Sequence, residues 1–175
     1  MRIEKLVVQG FRNLHRVEAV FPSRVTYIVG PNGQGKTNLL EAVYLLSQAK
    51  SFRHSSTHDL LPWNAESSAP CSVEASLQTD DGRKTVSFEL EDGRRKVYVN
   101  GNRVSKASAF YGQFRAVVFS PDDVQLVKGG PGGRRRFLDR TLSMLDGQFV
   151  DHLVSYERAL KSRNILLKRL RSNPS

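Results

Sequence analysis

Gly30-Pro31-Asn32-Gly33-Gln34-Gly35-Lys36-Thr37 sits between the apolar run Thr26-Tyr27-Ile28-Val29 and a helical pattern opening at Asn38-Leu39-Leu40-Glu41-Ala42. It fits G-x-x-x-x-G-K-[ST] in the strand-loop-helix setting that this phosphate-binding loop requires. Its glycines let the backbone turn tightly and aim successive N–H groups at a phosphate chain, where a side chain would obstruct the approach. Lys36 is placed to lie over the terminal phosphates and Thr37 to offer its hydroxyl to Mg2+, while the helix start favours an anion. The stretch reads as a site for a nucleoside triphosphate with magnesium, in preference to a glycine-rich turn with an incidental lysine.

Outward from the loop, 175 residues at 39% apolar content are enough for one core and an appended helix, with no room for two full domains. A net charge of +10 and a pI of 10.1 point to a polyanionic partner. The excess is uneven: residues 128–175 hold eleven Lys and Arg against four Asp and Glu, whereas residues 1–127 hold sixteen against thirteen. The single cysteine, Cys71, has no partner for an internal disulfide and reads as a small packed residue. Met1-Arg2-Ile3-Glu4-Lys5 carries charge where a signal peptide needs an apolar core. No apolar run approaches the roughly 20 residues of a membrane span, so the expectation is a soluble cytoplasmic protein without a membrane partner.

Before the loop, Arg2 to Val8 alternates and reads as a strand ended by Gly10, and Val17 to Phe21 as a second. Between them lies Phe11-Arg12-Asn13, where Arg12 either covers a nucleotide or is simply solvated. After the loop, a helix from Lys36 to Ala49 turns Leu39, Leu40, Val43 and Leu46 toward a core and forms the crossover of a β-α-β unit. Ser55 to Pro70 reads as a surface loop, and the i, i+4 pair His54 and His58 lacks the third ligand that a metal site needs. Cys71 to Thr79, Thr85 to Glu91 and Lys96 to Val99 alternate and are separated by turn residues, and Asn100-Gly101 is a hairpin turn before Val104. The middle third is therefore an antiparallel meander, whose Arg94, Arg95, Lys96 and Arg103 either touch a nucleic-acid backbone or blunt a solvated edge.

Ala116-Val117-Val118-Phe119 reads as a short buried strand running into Ser120-Pro121-Asp122-Asp123. Ser-Pro-Asp-Asp has the order of a helix start, a cap followed by proline and two acids, and Asp122 is also kept as a candidate magnesium or water contact. Arg134, Arg135 and Arg136 follow a Gly-Gly-Pro-Gly-Gly turn, and on a helix they lie about 100° apart, so they divide between roles. One faces phosphate and one faces Asp139, or Arg135 and Asp139 form an ordinary i, i+4 pair. Asp146-Gly147 breaks this helix, and Gln148 to Arg171 forms another with a seam of Phe149, Leu153, Tyr156, Leu160, Arg163, Leu167 and Leu170. Lys161, Arg163, Lys168, Arg169 and Arg171 on it either contact DNA or form the polar face of an arm, and Asn173-Pro174-Ser175 stops it.

Phe11-Arg12-Asn13, the Gly30 to Thr37 loop with Asn38, Lys50-Ser51-Phe52-Arg53, and above all Pro121 to Asp139 resemble the RecF family along essentially the whole chain. The resemblance implies an α/β fold: the N-terminal lobe of an ABC-type ATPase head of the SMC and Rad50 kind, a P-loop lobe with an antiparallel β meander and the start of a helical arm. It divides the chain into an ATP-binding lobe at 1–146 and the start of the arm at 147–175. It implies ATP and Mg2+ as cofactors, with Gly30, Pro31, Asn32, Gly33, Gln34, Gly35, Lys36, Thr37, Asn38 and Arg12 at the nucleotide and Thr37 and Asp122 at the metal. It implies single- and double-stranded DNA as partner, with Arg134, Arg135, Arg136, Lys161 and Arg169 as the DNA-binding set. RecR and RecO as partners, ATP-dependent dimerisation of the full-length protein, help to RecA at gaps, and a nucleoid-associated location in the cytoplasm belong to the same implication.

The family's ABC signature, acidic strand end and switch histidine are not visible in the sequence, which suggests a fragment cut within the arm. Such a piece is expected to bind ATP weakly and to lack efficient turnover, because the groups that position the attacking water are missing. The alternative is a basic DNA-binding fragment indifferent to nucleotide, with steeply salt-dependent affinity. A transporter-type ATPase is disfavoured by the Phe11-Arg12-Asn13 turn and the arginine-rich stretch.

Overall fold

The computed structural model describes residues 1–53, 56–62 and 71–172. Its frame is one six-stranded sheet in the order β2-β1-β3-β4-β5-β6, with every pairing antiparallel. The strands are β1 (Arg2–Phe11), β2 (Leu14–Val20), β3 (Cys71–Thr79), β4 (Gly82–Glu91), β5 (Arg94–Val99) and β6 (Asn102–Val104).

Period-two alternation puts Leu6 and Val8, Val73, Ala75 and Leu77, and Val86, Phe88 and Leu90 on one buried face. Each fully buried Leu or Phe there stabilises the fold by about 1.5 to 3 kcal/mol. Helix α1 (Lys36–Gln48) lies across that face, burying Ala42, Leu45 and Leu46 against β1, β3 and β4.

The meander forms as its spacing predicts. Asp92-Gly93 and Asn100-Gly101 all have positive φ, joining Glu91 to Arg94 and Val99 to Asn102 through the two-residue turns that match strand twist. Asn100 adds a side-chain clamp, its Oδ1 accepting from the Thr85 N–H at 2.9 Å. The first strand runs through Gly10 instead of ending there, and the turn narrows to Arg12-Asn13, between the paired Phe11 and Leu14.

Several expectations change. Neither Thr26 to Val29 nor Ala116 to Phe119 is a strand: Tyr27, Val29, Val117 and Phe119 are between 85% and 91% exposed. Among the described residues no strand pairs with either run, and an extended segment without a neighbour cannot satisfy its backbone groups in a ladder. The β-α-β crossover is likewise not formed among the described residues, since the sheet is antiparallel throughout. Leu40 is half exposed, because α1 buries its C-terminal two turns on nearly every side while its start stands clear of the sheet.

The expected loop at 55–70 is described only at 56–62, where a 3-10 turn (His58–Leu60) sinks Leu60 into the core. His54, Ser55, residues 63–70 and Asn173-Pro174-Ser175 lie outside the described residues.

Beyond the sheet come α2 (Ala107–Phe110), a 3-10 turn (Pro121–Val124), α3 (Gln125–Lys128), α4 (Pro131–Leu145) and α5 (Gly147–Ser172). The helix start at Ser120 is a capping box, with Asp123 Oδ2 accepting from the Ser120 N–H at 2.5 Å. Helix α4 packs near the end of α1, where Ser47 Oγ meets Met144 Sδ at 3.6 Å. The α5 seam buries only at its start: Phe149 and Leu153 are half-buried beside the buried Val150, whereas Tyr156 and Leu170 are exposed. No helix of the described residues is long and apolar enough to cross a membrane.

Candidate functional site

The loop before α1 is held open by its own backbone. Gly30, Gly33 and Gly35 have φ of 153°, 82° and 93°. At Gly35 a Cβ would also lie 2.7 Å from both Asn13 Oδ1 and Leu14 Cδ2, so only glycine fits. The helix begins with the Leu39 N–H donating to the Gly35 carbonyl at 2.8 Å. The N–H groups of Lys36, Thr37 and Asn38 therefore have no carbonyl four residues back inside the helix, which is the donor array an anion takes. Lys36 Nζ donates to the Gly30 and Pro31 carbonyls at 2.8 and 2.7 Å, which holds its charge over the loop. Pro31, Asn32, Gln34 and Thr37 are exposed around it.

The β1–β2 turn docks onto this loop. Asn13 Nδ2 donates to the Gly33 carbonyl at 3.0 Å, and Asn38 Nδ2 donates to Asn13 Oδ1 at 2.7 Å. Arg12 takes a left-handed φ of 51°, a conformation costing roughly 1 to 3 kcal/mol outside glycine that survives where surroundings over-determine it. Two things hold it: its N–H donates to the Leu60 carbonyl at 2.9 Å, and its guanidinium meets the carboxylate of Glu41.

Glu41 is the feature that sequence reasoning missed. It is fully buried on α1, where its Oε1 accepts from Arg12 Nη2 at 2.7 Å and Ser51 Oγ at 2.5 Å and its Oε2 lies in ion-pair contact with Arg12 Nε at 2.7 Å and Arg53 Nη1 at 3.4 Å. Arg53 Nη1 also donates to Asn38 Oδ1 at 2.8 Å, closing a circuit back to the loop. The signal lay in the helix pattern, where an acid occupies the stripe shared with Leu45 and Gln48. Its partners come from distant segments that no spacing rule connects.

The structure brings the loop, Asn38 and Arg12 together. Asp122 is exposed in the 3-10 turn and makes no contact with Thr37 among the described residues. Groups of three or more His, Cys, Asp or Glu able to hold a metal are likewise absent among the described residues. Thr37 at the helix start is thus the one expected magnesium donor attached to the loop.

The basic residues do not converge on the loop. Arg134 Nη2 donates to the Gly129 carbonyl at 2.9 Å and fastens the glycine turn. Arg135 and Arg136 are exposed on α4, and the Arg135–Asp139 pair is not formed. Arg140 instead faces Tyr44 on α1, where burial pushes the tyrosine hydroxyl up and the guanidinium partly counters it. Lys161 and Arg169 are exposed on α5, about 12 Å apart along its axis.

A phosphate loop opening a helix on an antiparallel meander is the α/β lobe of an ABC-type ATPase head. The SMC head domain from Thermotoga maritima is similar, at 26% identity and a TM-score of 0.54, over 74% of this chain and 52% of that one. The chain belongs to the RecF/RecN/SMC N-terminal domain family, whose model matches residues 2–129. Within it the chain corresponds to the N-terminal portion of RecF. The DNA replication and repair protein RecF of Geobacter sulfurreducens is 39% identical over 169 residues, covering 97% of this chain and 46% of that protein. Its counterpart in Leptospira biflexa is 36% identical over 172 residues, with the same shares. The recombination mediator protein RecF of the RecFOR pathway, solved as RecF-ATPrS, superposes with a TM-score of 0.90 at 34% identity, over 99% of this chain and 47% of that one. Its RecF-ATP form gives 0.88 at 35%, over 97% and 46%. The chain thus spans about half the length of the relatives it matches.

Proposed function

We propose that this chain is the ATP-binding lobe of a RecF-like recombinational repair and replication protein. In this reading residues 1–146 are the lobe and 147–175 begin its arm. The observation that carries it is the loop geometry: Lys36 held over glycines of positive φ, with Arg12 and Asn38 fixed at its rim. Likeness to proteins solved with ATP and ATPrS supports the same ligand here.

Gly30 to Asn38 hold the phosphates through backbone N–H groups and Lys36, and Arg12 stands at the nucleotide. Thr37 offers its hydroxyl to Mg2+, and Asp122 is a second candidate contact from the 3-10 turn. When bound, the ATP–magnesium pair supplies the charge around which two heads close. This chain's residues supply binding and orientation without efficient hydrolysis.

Single- and double-stranded DNA is the polyanionic partner. Arg135, Arg136, Lys161 and Arg169 reach its backbone from exposed helix faces, and Arg134 sets the turn before them. In the full-length protein this serves ATP-dependent dimerisation, cooperation with RecO and RecR, and RecA loading at gaps, on the nucleoid in the cytoplasm.

The test is binding of a fluorescent ATP analogue with Mg2+ to wild type and Lys36→Ala, with DNA affinity read in the same samples. Nucleotide binding that disappears in the variant, with DNA affinity responding to ATP, is the expected result. DNA binding indifferent to nucleotide in both proteins would replace the reading with that of a basic fragment acting alone.

A further inference from the structure

The site reading leaves Glu41 without a role. A carboxylate with no exposed surface, serving two guanidiniums and a hydroxyl, costs desolvation that a leucine at that position would avoid. Its partners are not core residues. Arg12 sits in the strained turn against the phosphate loop, and Arg53 is bonded to Asn38, the residue that follows the loop motif. From Asn38 the bonds continue through Asn13 to the Gly33 carbonyl. One buried charge thus stands, through its ion pair with Arg53, at the head of a chain of hydrogen bonds ending on the loop backbone.

We propose that Glu41 is a positioning residue: its carboxylate sets the attitude of Arg12 and, through Arg53, Asn38 and Asn13, the shape of the phosphate loop. Two arginines on one acid leave a surplus positive charge at the loop's rim, half-screened and aimed by the carboxylate. Without the carboxylate the guanidiniums repel each other, and Arg12 loses one of the two contacts that hold its left-handed backbone. Arg53 and Ser51 arrive from the segment after α1, so the same acid also fastens the exit of the helix that begins at the loop. The proposal rests on the reading of Gly30 to Thr37 as a nucleotide phosphate site, but its structural half is measurable without any ligand.

The experiment has two arms on the whole chain. In the first, fluorescent ATP analogue affinity is measured for Glu41→Gln, Arg12→Ala and the double variant. Each single change is expected to weaken binding about ten- to hundredfold, the worth of a charge-assisted hydrogen bond, and the double variant clearly less than the product of the two, because Glu41 acts in part through Arg12. Full additivity, or wild-type affinity in Glu41→Gln, overturns the proposal.

In the second arm, amide hydrogen exchange without nucleotide follows the Arg12 and Leu39 N–H groups. Glu41→Gln, and independently the less buried Arg53→Ala, should accelerate both by tenfold or more while the β3–β4 ladder stays protected. Exchange that rises equally across the meander makes Glu41 an ordinary core residue, and unchanged exchange at Arg12 removes the positioning role. If the wild type itself fails to bind the analogue, the proposed function falls, while the exchange arm still decides the role of Glu41.

Discussion

Arg95 Nη1 donates to the Ala49 carbonyl at 3.0 Å, so a residue of β5 closes the end of α1. Its Nη2 reaches Thr57 Oγ1 at 2.7 Å, tying in the segment that carries Leu60. An arginine that sequence left as either a nucleic-acid contact or an edge charge is a helix C-terminal cap. Arg95→Ala is expected to cost about 1 kcal/mol, the net worth of such bonds at a partly wet site. Urea unfolding measures it, and a midpoint equal to wild type would show the cap to be idle.

The three consecutive arginines separate by role. Because all three are exposed but the Arg134 guanidinium is committed to the Gly129 carbonyl, Arg135→Ala or Arg136→Ala should each lower the slope of log affinity against log salt for DNA by about 0.9. Arg134→Ala should leave the slope near wild type and loosen the turn. Fluorescence anisotropy titrations at four salt concentrations distinguish the cases, and a reversed order would refute the assignment.

Cys71 is 1% exposed, and burial pushes its thiol from 9.0 up to about 11. A folded-state value above the unfolded one means that its share of stability is complete below pH 9 and is lost as pH rises through about 11. Thiol reagents at pH 8 should therefore label the unfolded chain quickly and the folded chain only through opening. Cys71→Ala should lose less stability than wild type between pH 9 and about 11. Rapid labelling of the folded chain would contradict the burial.

Val117 and Phe119 stand exposed on an apolar, unpaired edge of chain with no strand beside it among the described residues. Such an edge invites pairing with another copy, and lysine is the residue that natural edges use against it. Val117→Lys with Phe119→Lys should reduce self-association in sedimentation velocity as concentration rises. Stability should stay within about 0.5 kcal/mol, because the side chains removed pack against little. Unchanged association would locate the sticky surface elsewhere.

The meander and phosphate loop were legible because their signals are local. Asn100-Gly101 demands a particular turn, alternation fixes the face of each strand beside it, and Gly30 to Thr37 carries its chemistry within eight residues. Thr26 to Val29 and Ala116 to Phe119 misled because a continuous apolar run reports a strand's tendency and not the neighbour that completes it. Glu41 escaped notice for a related reason. A single acid in an apolar helix pattern gains meaning from Arg12, Ser51 and Arg53, brought to it only by tertiary closure. Leu60 hides in a surface-loop pattern because its polar neighbours dominate the window around it.

The sheet order also dictates when the site can come into being. Each meander turn joins strands two residues apart, so β3 to β6 zip through short-range contacts, but β1 must find β3 across a separation of more than sixty residues. Short-range pairing is fast and long loop closure slow. On a ribosome the first hairpin and the phosphate loop emerge early and wait, because the strand that α1 covers beside β1 is made later. The last part of this lobe to mature is therefore among the first synthesised.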